Sequence, residues 1–243
     1  MMYVLEVPAF DISSCLIAQQ SGANRIELCA NPLEGGTTCS YGFISTARTV
    51  LQIELFAIIR SRGGDFLYDD NEYSIMKKDI QLCKDLGCEG VVIGMLNRDG
   101  SIDKKRVAGL VKTAYPMSVS FHRAFDRAAN PFETMEDIID TGCERILTSG
   151  QRPTAVDGAG LIQQLVRQAD QRIIVMPGSG VNSDNIDKLA RQTGAVEFHS
   201  SARDIKTSPM DFINDGMEEV LSHAACNGDE VRKMVLVLKG LEV

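Results

Sequence analysis

The sequence predicts a single (β/α)8 barrel, and three observations predict it. Short apolar runs recur along the chain, each followed by a stretch with helical spacing of apolar residues. The return from helix to strand is punctuated the same way four times: Gly22-Ala23-Asn24-Arg25, Gly87-Cys88-Glu89-Gly90, Gly142-Cys143-Glu144-Arg145 and Gly194-Ala195. Glycine is the usual residue just past a helix, and a small Ala or Cys then turns the chain into the next strand. Eight such units fill the 243 residues, a length that suits a closed barrel of parallel strands. The competing open, doubly wound sheet is weakened because no G-x-G-x-x-G follows the first strand. No linker or low-complexity stretch divides the chain, so residues 1–243 are expected to form one domain.

In order, the predicted strands are Tyr3–Val7, Arg25–Cys29, Ile53–Ile59, Val91–Gly94, Met117–His122, Arg145–Thr148, Arg172–Met176 and Ala195–His199. The first helix is expected over Asp11–Ser21 and the second over Gly42–Leu51. The fifth opens with Asn130 as N-cap, Pro131 at the first helical position and Glu133 completing a box-like start. The seventh begins near Ser183 and ends before Gly194, and the last covers Asp229–Lys239 before Gly240. Between the last strand and the last helix, Ala202–Asn227 is long enough to cover the barrel mouth or an edge, or to join a dimer contact.

Composition narrows the function. Hydrophobic content of 44% and charged content of 24% describe an ordinary soluble globular chain. A net charge of -8 disfavours generic binding to nucleic acid or to an anionic membrane. With no Trp and 6% aromatics, no stacking platform for single strands stands out. The N-terminus runs directly into a strand pattern, and no apolar run approaches a membrane span, so a cytoplasmic location is expected. Seven cysteines without a secretion signal read as reduced thiols.

Barrel chemistry lies at the carboxyl ends of the strands, and those positions are rich in charge. Phe56-Ala57-Ile58-Ile59 runs into Arg60-Ser61-Arg62-Gly63-Gly64-Asp65-Phe66. Arginine forks suit carboxylate or phosphate, and paired glycines let backbone approach a ligand. Glu27 and Cys29 share one face of the second strand by two-residue alternation, as do Glu197 and His199 on the eighth. The fifth strand ends in His122-Arg123, with Asp126 beyond. Arg60 and Arg62 would clamp an anion, His122 or Asp126 would move protons, and Glu27 or Glu197 would orient them; Asp65 and His199 complete this catalytic set. Glu6, Glu27 and Glu197 are expected to be balanced by Arg60, Arg62 and His122 or His199, because isolated buried charge is costly. Gly178-Ser179-Gly180 and Ser200-Ser201 follow strands seven and eight, where barrel enzymes often place backbone N–H groups around a phosphate. Cys29 is the best functional thiol, with Cys39 able to join it if the Glu34–Ser40 loop folds back. Two thiolates and a histidine would favour a soft metal such as Cu(I).

These residues also carry a resemblance. Ile26-Glu27-Leu28-Cys29, Glu34-Gly35-Gly36, Ile58-Ile59-Arg60-Ser61-Arg62-Gly63-Gly64-Asp65-Phe66, Phe121-His122-Arg123-Ala124-Phe125-Asp126, Leu147-Thr148-Ser149-Gly150 and Glu197-Phe198-His199-Ser200-Ser201-Ala202 resemble the signature set of the CutC copper homeostasis family, in order over nearly the whole chain. The resemblance implies a TIM-type barrel, a cytoplasmic location, a role in copper tolerance, Cu(I) binding through cysteines, and self-association, commonly as a dimer. Two places depart from it. Ser61 stands where the family often has Pro, and Val7-Pro8 follows Glu6 where many members have a cysteine, which thins the thiol set. The Arg, His, Asp and Glu of the motifs, apart from His, are not soft ligands. On the resemblance, copper homeostasis through bound copper is the expected function, and the alternative that these residues suggest is an enzyme site for a small phosphorylated or carboxylated metabolite, with an indirect effect on copper tolerance.

Overall fold

The computed structural model describes residues 2–214, 216–218 and 220–241. Eight parallel strands form the barrel wall: β1 Val4–Ala9, β2 Arg25–Leu28, β3 Glu54–Ile58, β4 Gly90–Ile93, β5 Ser118–Phe121, β6 Arg145–Thr148, β7 Ile174–Pro177 and β8 Glu197–His199. The hydrogen-bonded order is β7-β6-β5-β4-β3-β2-β1-β8. Among the described residues no ladder joins β7 to β8, and the ring closes there by packing. Gly178 makes this possible, because a β-carbon on it would lie 2.5 Å from Leu147 Cδ1 and 3.3 Å from His199 Cβ.

The helices are α1 Ile12–Gln20, α2 Tyr41–Val50, α3 Asp70–Asp85, α4 Lys104–Ala114, α5 Pro131–Thr141, α6 Ala159–Ala169, α7 Ile186–Thr193 and α8 Gly228–Lys239. Side chains of Asp11, Ser40, Asp69, Asp103, Asn130 and Asn227 accept from first-turn N–H groups of six of them. In a parallel barrel helix N-termini lie at the mouth, so these caps also fix the loops that build the site. The expected glycine punctuation is present: Gly22, Gly87, Gly142 and Gly194 all have positive φ. Helix α7 starts three residues later than the sequence suggested, because residues 182–185 form a polar turn in which Asn185 Oδ1 accepts from Asn182 N–H.

Most apolar side chains pack between strands and helices in one large core that includes Leu5, Ile26, Leu55, Val91, Phe121 and Phe198. The barrel interior differs. Its small apolar cluster is Cys29, Phe56, Ile58 and Val92, and charge fills the space beside it. Segment 202–227, expected only as a long connection, contains an antiparallel hairpin of β9 Arg203–Lys206 and β10 His223–Cys226. β9 is exposed throughout and β10 carries small residues, so no apolar alternation marked them.

Candidate functional site

The floor of the site is an ionic layer inside the barrel. Arg25 Nε donates to Glu6 Oε2 at 2.6 Å, and its Nη2 donates to Glu197 Oε2 at 2.5 Å. Arg145 Nε donates to the same Glu197 oxygen at 2.8 Å. Both guanidinium groups lie against the Phe56 ring, at 4.8 and 5.4 Å from its centroid. Gly90 leaves room for that ring, since a β-carbon there would meet it at 2.5 Å. Two arginines thus face the buried Glu6 and Glu197, as buried charge requires, with the exposed Glu54 a third carboxylate 3.3 Å from Arg25 Nη1. The expected balance by Arg60, Arg62 and His122 is therefore corrected: the counter-charges are Arg25 and Arg145, with His199 beside Glu6. Alternation could have found Arg25, which stands two residues before Glu27 on the same face.

One layer higher, Glu27, Cys29 and His199 come together. His199 Nδ1 lies 2.8 Å from Glu6 Oε1, and its Nε2 lies 3.9 Å from Glu27 Oε2. The Cys29 thiol donates to Glu27 Oε2 at 3.4 Å. Burial pushes the Glu6 pKa up, but Arg25 and His199 outweigh it and hold the carboxyl down at about 2. For His199, burial favours the neutral ring, yet the hydrogen bond to Glu6 and the charges of Glu27 and Glu6 raise its pKa overall. Burial, assisted by Glu6, raises Glu27. Glu6 is thus the fixed anion, and Glu27 and His199 are both shifted toward holding a proton.

This cluster opens into a cavity of about 300 Å³ lined by Pro8, Phe10, Cys29, Arg123, Ser179 and Arg203, among others. Ser179 and Gly180 have positive φ, and Ser179 is held by its hydroxyl on Pro153 O at 2.8 Å. Among the described residues, the N–H groups of Ser179 and Gly180 have no protein acceptor. Ser201 also lines the cavity. Gly178 N–H instead donates to Thr148 O, and Ser200 donates through its hydroxyl to Val181 O and through its N–H to Glu6 O. Those two residues shape the loops and do not face the cavity.

The remaining predicted residues serve other places. Arg60 is buried and ties loops together, donating to the carbonyls of Glu34, Gly36 and Gly64 at 2.6, 2.9 and 2.8 Å. Arg62 turns away to Glu72 and Asp65, and Asp65 is exposed. Asp126 accepts from Thr148 Oγ1, Ser149 N, Ser149 Oγ, Gln151 N and Arg123 Nε. Its lone pairs are occupied, so it anchors the loop after β6 rather than standing free to move protons. His122 Nδ1 accepts from Ala124 N–H, and the ring packs 4.9 Å from Phe66. Burial and the nearby Arg60 charge lower its pKa to about 3, which makes it neutral. Gly94 permits its position, as a β-carbon there would lie 2.4 Å from the ring. Arg123 and Arg203, which the sequence reading did not select, both line the cavity. Arg123 directly follows His122, and that adjacency was the available signal.

The model of the CutC family matches residues 3–204. The chain belongs to the CutC family. A CutC family protein of Parabacteroides distasonis is 50% identical over 218 residues, 89% of this chain and 90% of the relative. A mouse relative named copper homeostasis protein cutC homolog is 45% identical over 215 residues, 88% of this chain and 79% of that one. A solved structure of CutC from Streptococcus agalactiae superposes with a TM-score of 0.79 at 30% identity, covering 82% of this chain and 99% of the other.

Copper can be tested against the donor set. Cys39 packs in the large core, whereas Cys29 belongs to the inner cluster and reaches the cavity. Burial and then the Glu27 charge raise the Cys29 pKa well above the ordinary thiol value. Among the described residues, no group of three or more His, Cys, Asp or Glu side chains is placed to hold a metal ion. Of the two predicted thiol ligands, only Cys29 lines the cavity, where His199 stands beside it. Among the described residues no helix is long and apolar enough to cross a membrane.

Proposed function

We propose that this CutC barrel is an enzyme that moves protons on a small phosphorylated or carboxylated metabolite. One observation carries the reading: Glu27 and His199, both shifted toward protonation, line the same cavity as Ser179 and Gly180, whose N–H groups have no protein acceptor among the described residues. In this reading the amides and Arg203 receive the anion. His199, oriented by Glu6, presents Nε2 toward the bound molecule, and Glu27 exchanges a proton with it across the cavity floor. Neither group needs to change the fixed charge of Glu6 and Arg25 beneath. Phosphorus NMR of inorganic phosphate tests the anion end. Line broadening by the wild-type protein that falls severalfold in Arg203→Gln is expected, and an unbroadened line with wild type would reject it.

A second reading makes copper a cargo; the mouse relative is named a copper homeostasis protein. One position favours it: the Cys29 thiol and the His199 ring both face the cavity, and Cu(I) accepts two soft donors. Anaerobic Cu(I) titration against a competing chelator should then show tight binding that is lost in Cys29→Ser. Competition that is equal in both proteins would remove Cys29 from the role, and none in wild type would remove copper from direct binding. A cytoplasmic setting, with its reducing conditions, agrees with seven free cysteines. Self-association as a dimer is supported by the hairpin, where Ile205, Met210, Phe212, Ile213, Met217 and Val220 are exposed.

A further inference from the structure

We infer that the ligand carries two anionic groups: a phosphate at the β7 and β8 loops, and a carboxylate in a second, arginine-lined cavity beside them. This rests on the reading of the mouth as an anion-binding enzyme site, and it adds the second anchor. The second cavity has a volume of about 790 Å³ and lies among the loops after β3, β4 and β5. Gly35 and Arg123 line both cavities, so the two adjoin at these residues.

Four arginines line the larger cavity: Arg60, Arg98, Arg123 and Arg127. Its acidic residues are Glu34, Asp65 and Asp126. Asp65 is taken by Arg62, and Asp126 by Arg123 and the loop after β6. Arg98 and Arg127 have no ion-pair or hydrogen-bond partner among the described residues. Arg60 is only 4% exposed, and its Nε is buried without an acceptor, although both terminal nitrogens are used. The buried Tyr68 hydroxyl interacts with the same guanidinium, so Arg60 contributes its fixed positive charge to this wall. Phe66 also lines this cavity. Its ring lies 5.0 Å from the Arg60 guanidinium on one side and 4.9 Å from the His122 ring on the other. The Nε2 of His122 is a second buried nitrogen without a partner. The wall thus combines the buried Arg60 cation, two free guanidinium groups and an apolar ring. That combination suits a carboxylate on a short carbon chain. A ligand reaching from there to Ser179 and Gly180 would pass Glu27 and His199, where proton transfer would act between its two ends.

The test uses isothermal titration calorimetry with inorganic phosphate and with 3-phosphonopropionate, which joins a phosphonate to a carboxylate. Wild type and the double variant Arg98→Gln with Arg127→Gln are compared; both arginines are exposed, so the fold should survive. The inference expects 3-phosphonopropionate to bind wild type at least tenfold more tightly than phosphate. It expects that advantage to vanish in the double variant while phosphate affinity is unchanged. Equal affinity of the two probes for wild type would overturn the second anchor and leave the phosphate end standing. An advantage retained in the double variant would also overturn it. Binding of neither probe would reject the enzyme reading itself, and the inference with it.

Discussion

Arg25 shows how one side chain can hold a barrel interior together. It is 1% exposed and bonds Glu6 and Glu197 at once. Arg25→Met would leave two buried carboxylates short of positive charge, at a cost of about 3–5 kcal/mol. Urea denaturation should show that loss; a change under about 1 kcal/mol would mean the layer is wetter than its burial suggests. His122 makes the complementary pH prediction. Its folded pKa, about 3, lies below the ordinary value of 6.5. The unfolded chain therefore takes up the proton first, and the ring contributes stability above pH 6.5 that is lost as pH falls toward 3. Melting temperature should decline across that window, and His122→Gln should flatten part of the decline. An unaltered slope in the variant would count against a neutral, buried ring. Glu6 adds a lower step: its stabilisation is complete above pH 4.5 and is lost as pH falls toward about 2.

At the scale of elements, the caps and the strand ends carry the local logic. Asp69 and Glu72 form a reciprocal capping box at the start of α3, just after the loop that holds Arg60, Arg62 and Phe66. Asp69→Ala should cost about 1 kcal/mol, and hydrogen exchange should quicken in the first turn of α3 and the loop before it. Exchange unchanged in that loop would mean that Arg60 alone fixes it. The strands, the glycine turns and the Asn130 cap were legible in the sequence because each is a local signal. Period-two alternation also placed Glu27 beside Cys29 and Glu197 beside His199. What the alternation did not give was partner choice. Arg60 follows an apolar strand as an anion clamp would, yet its fork is closed on three carbonyls. Asp126 has the right residue type for a proton carrier, but five donors converge on it from residues 123–151. Both outcomes depend on loops meeting in space, which spacing along the chain does not encode.

For the whole molecule, the exposed hairpin bears on assembly. Phe212 is 74% exposed and Val220 83%, apolar surface that a second copy of the chain would cover. Sedimentation velocity should find a dimer, and Phe212→Ser with Ile213→Ser should shift it toward monomer; a wild-type monomer at micromolar concentration would end that proposal. The seam between β7 and β8 has a different consequence. Among the described residues the strands are joined by hydrogen bonds on every side but one, so the ring is built as a clasp rather than a hoop. Ser179 and Gly180 rise from one jaw of it, and Ser201 from the other. Any anion gripped by both jaws would fasten the clasp, so occupancy of the site would be felt as stiffness around the whole circumference.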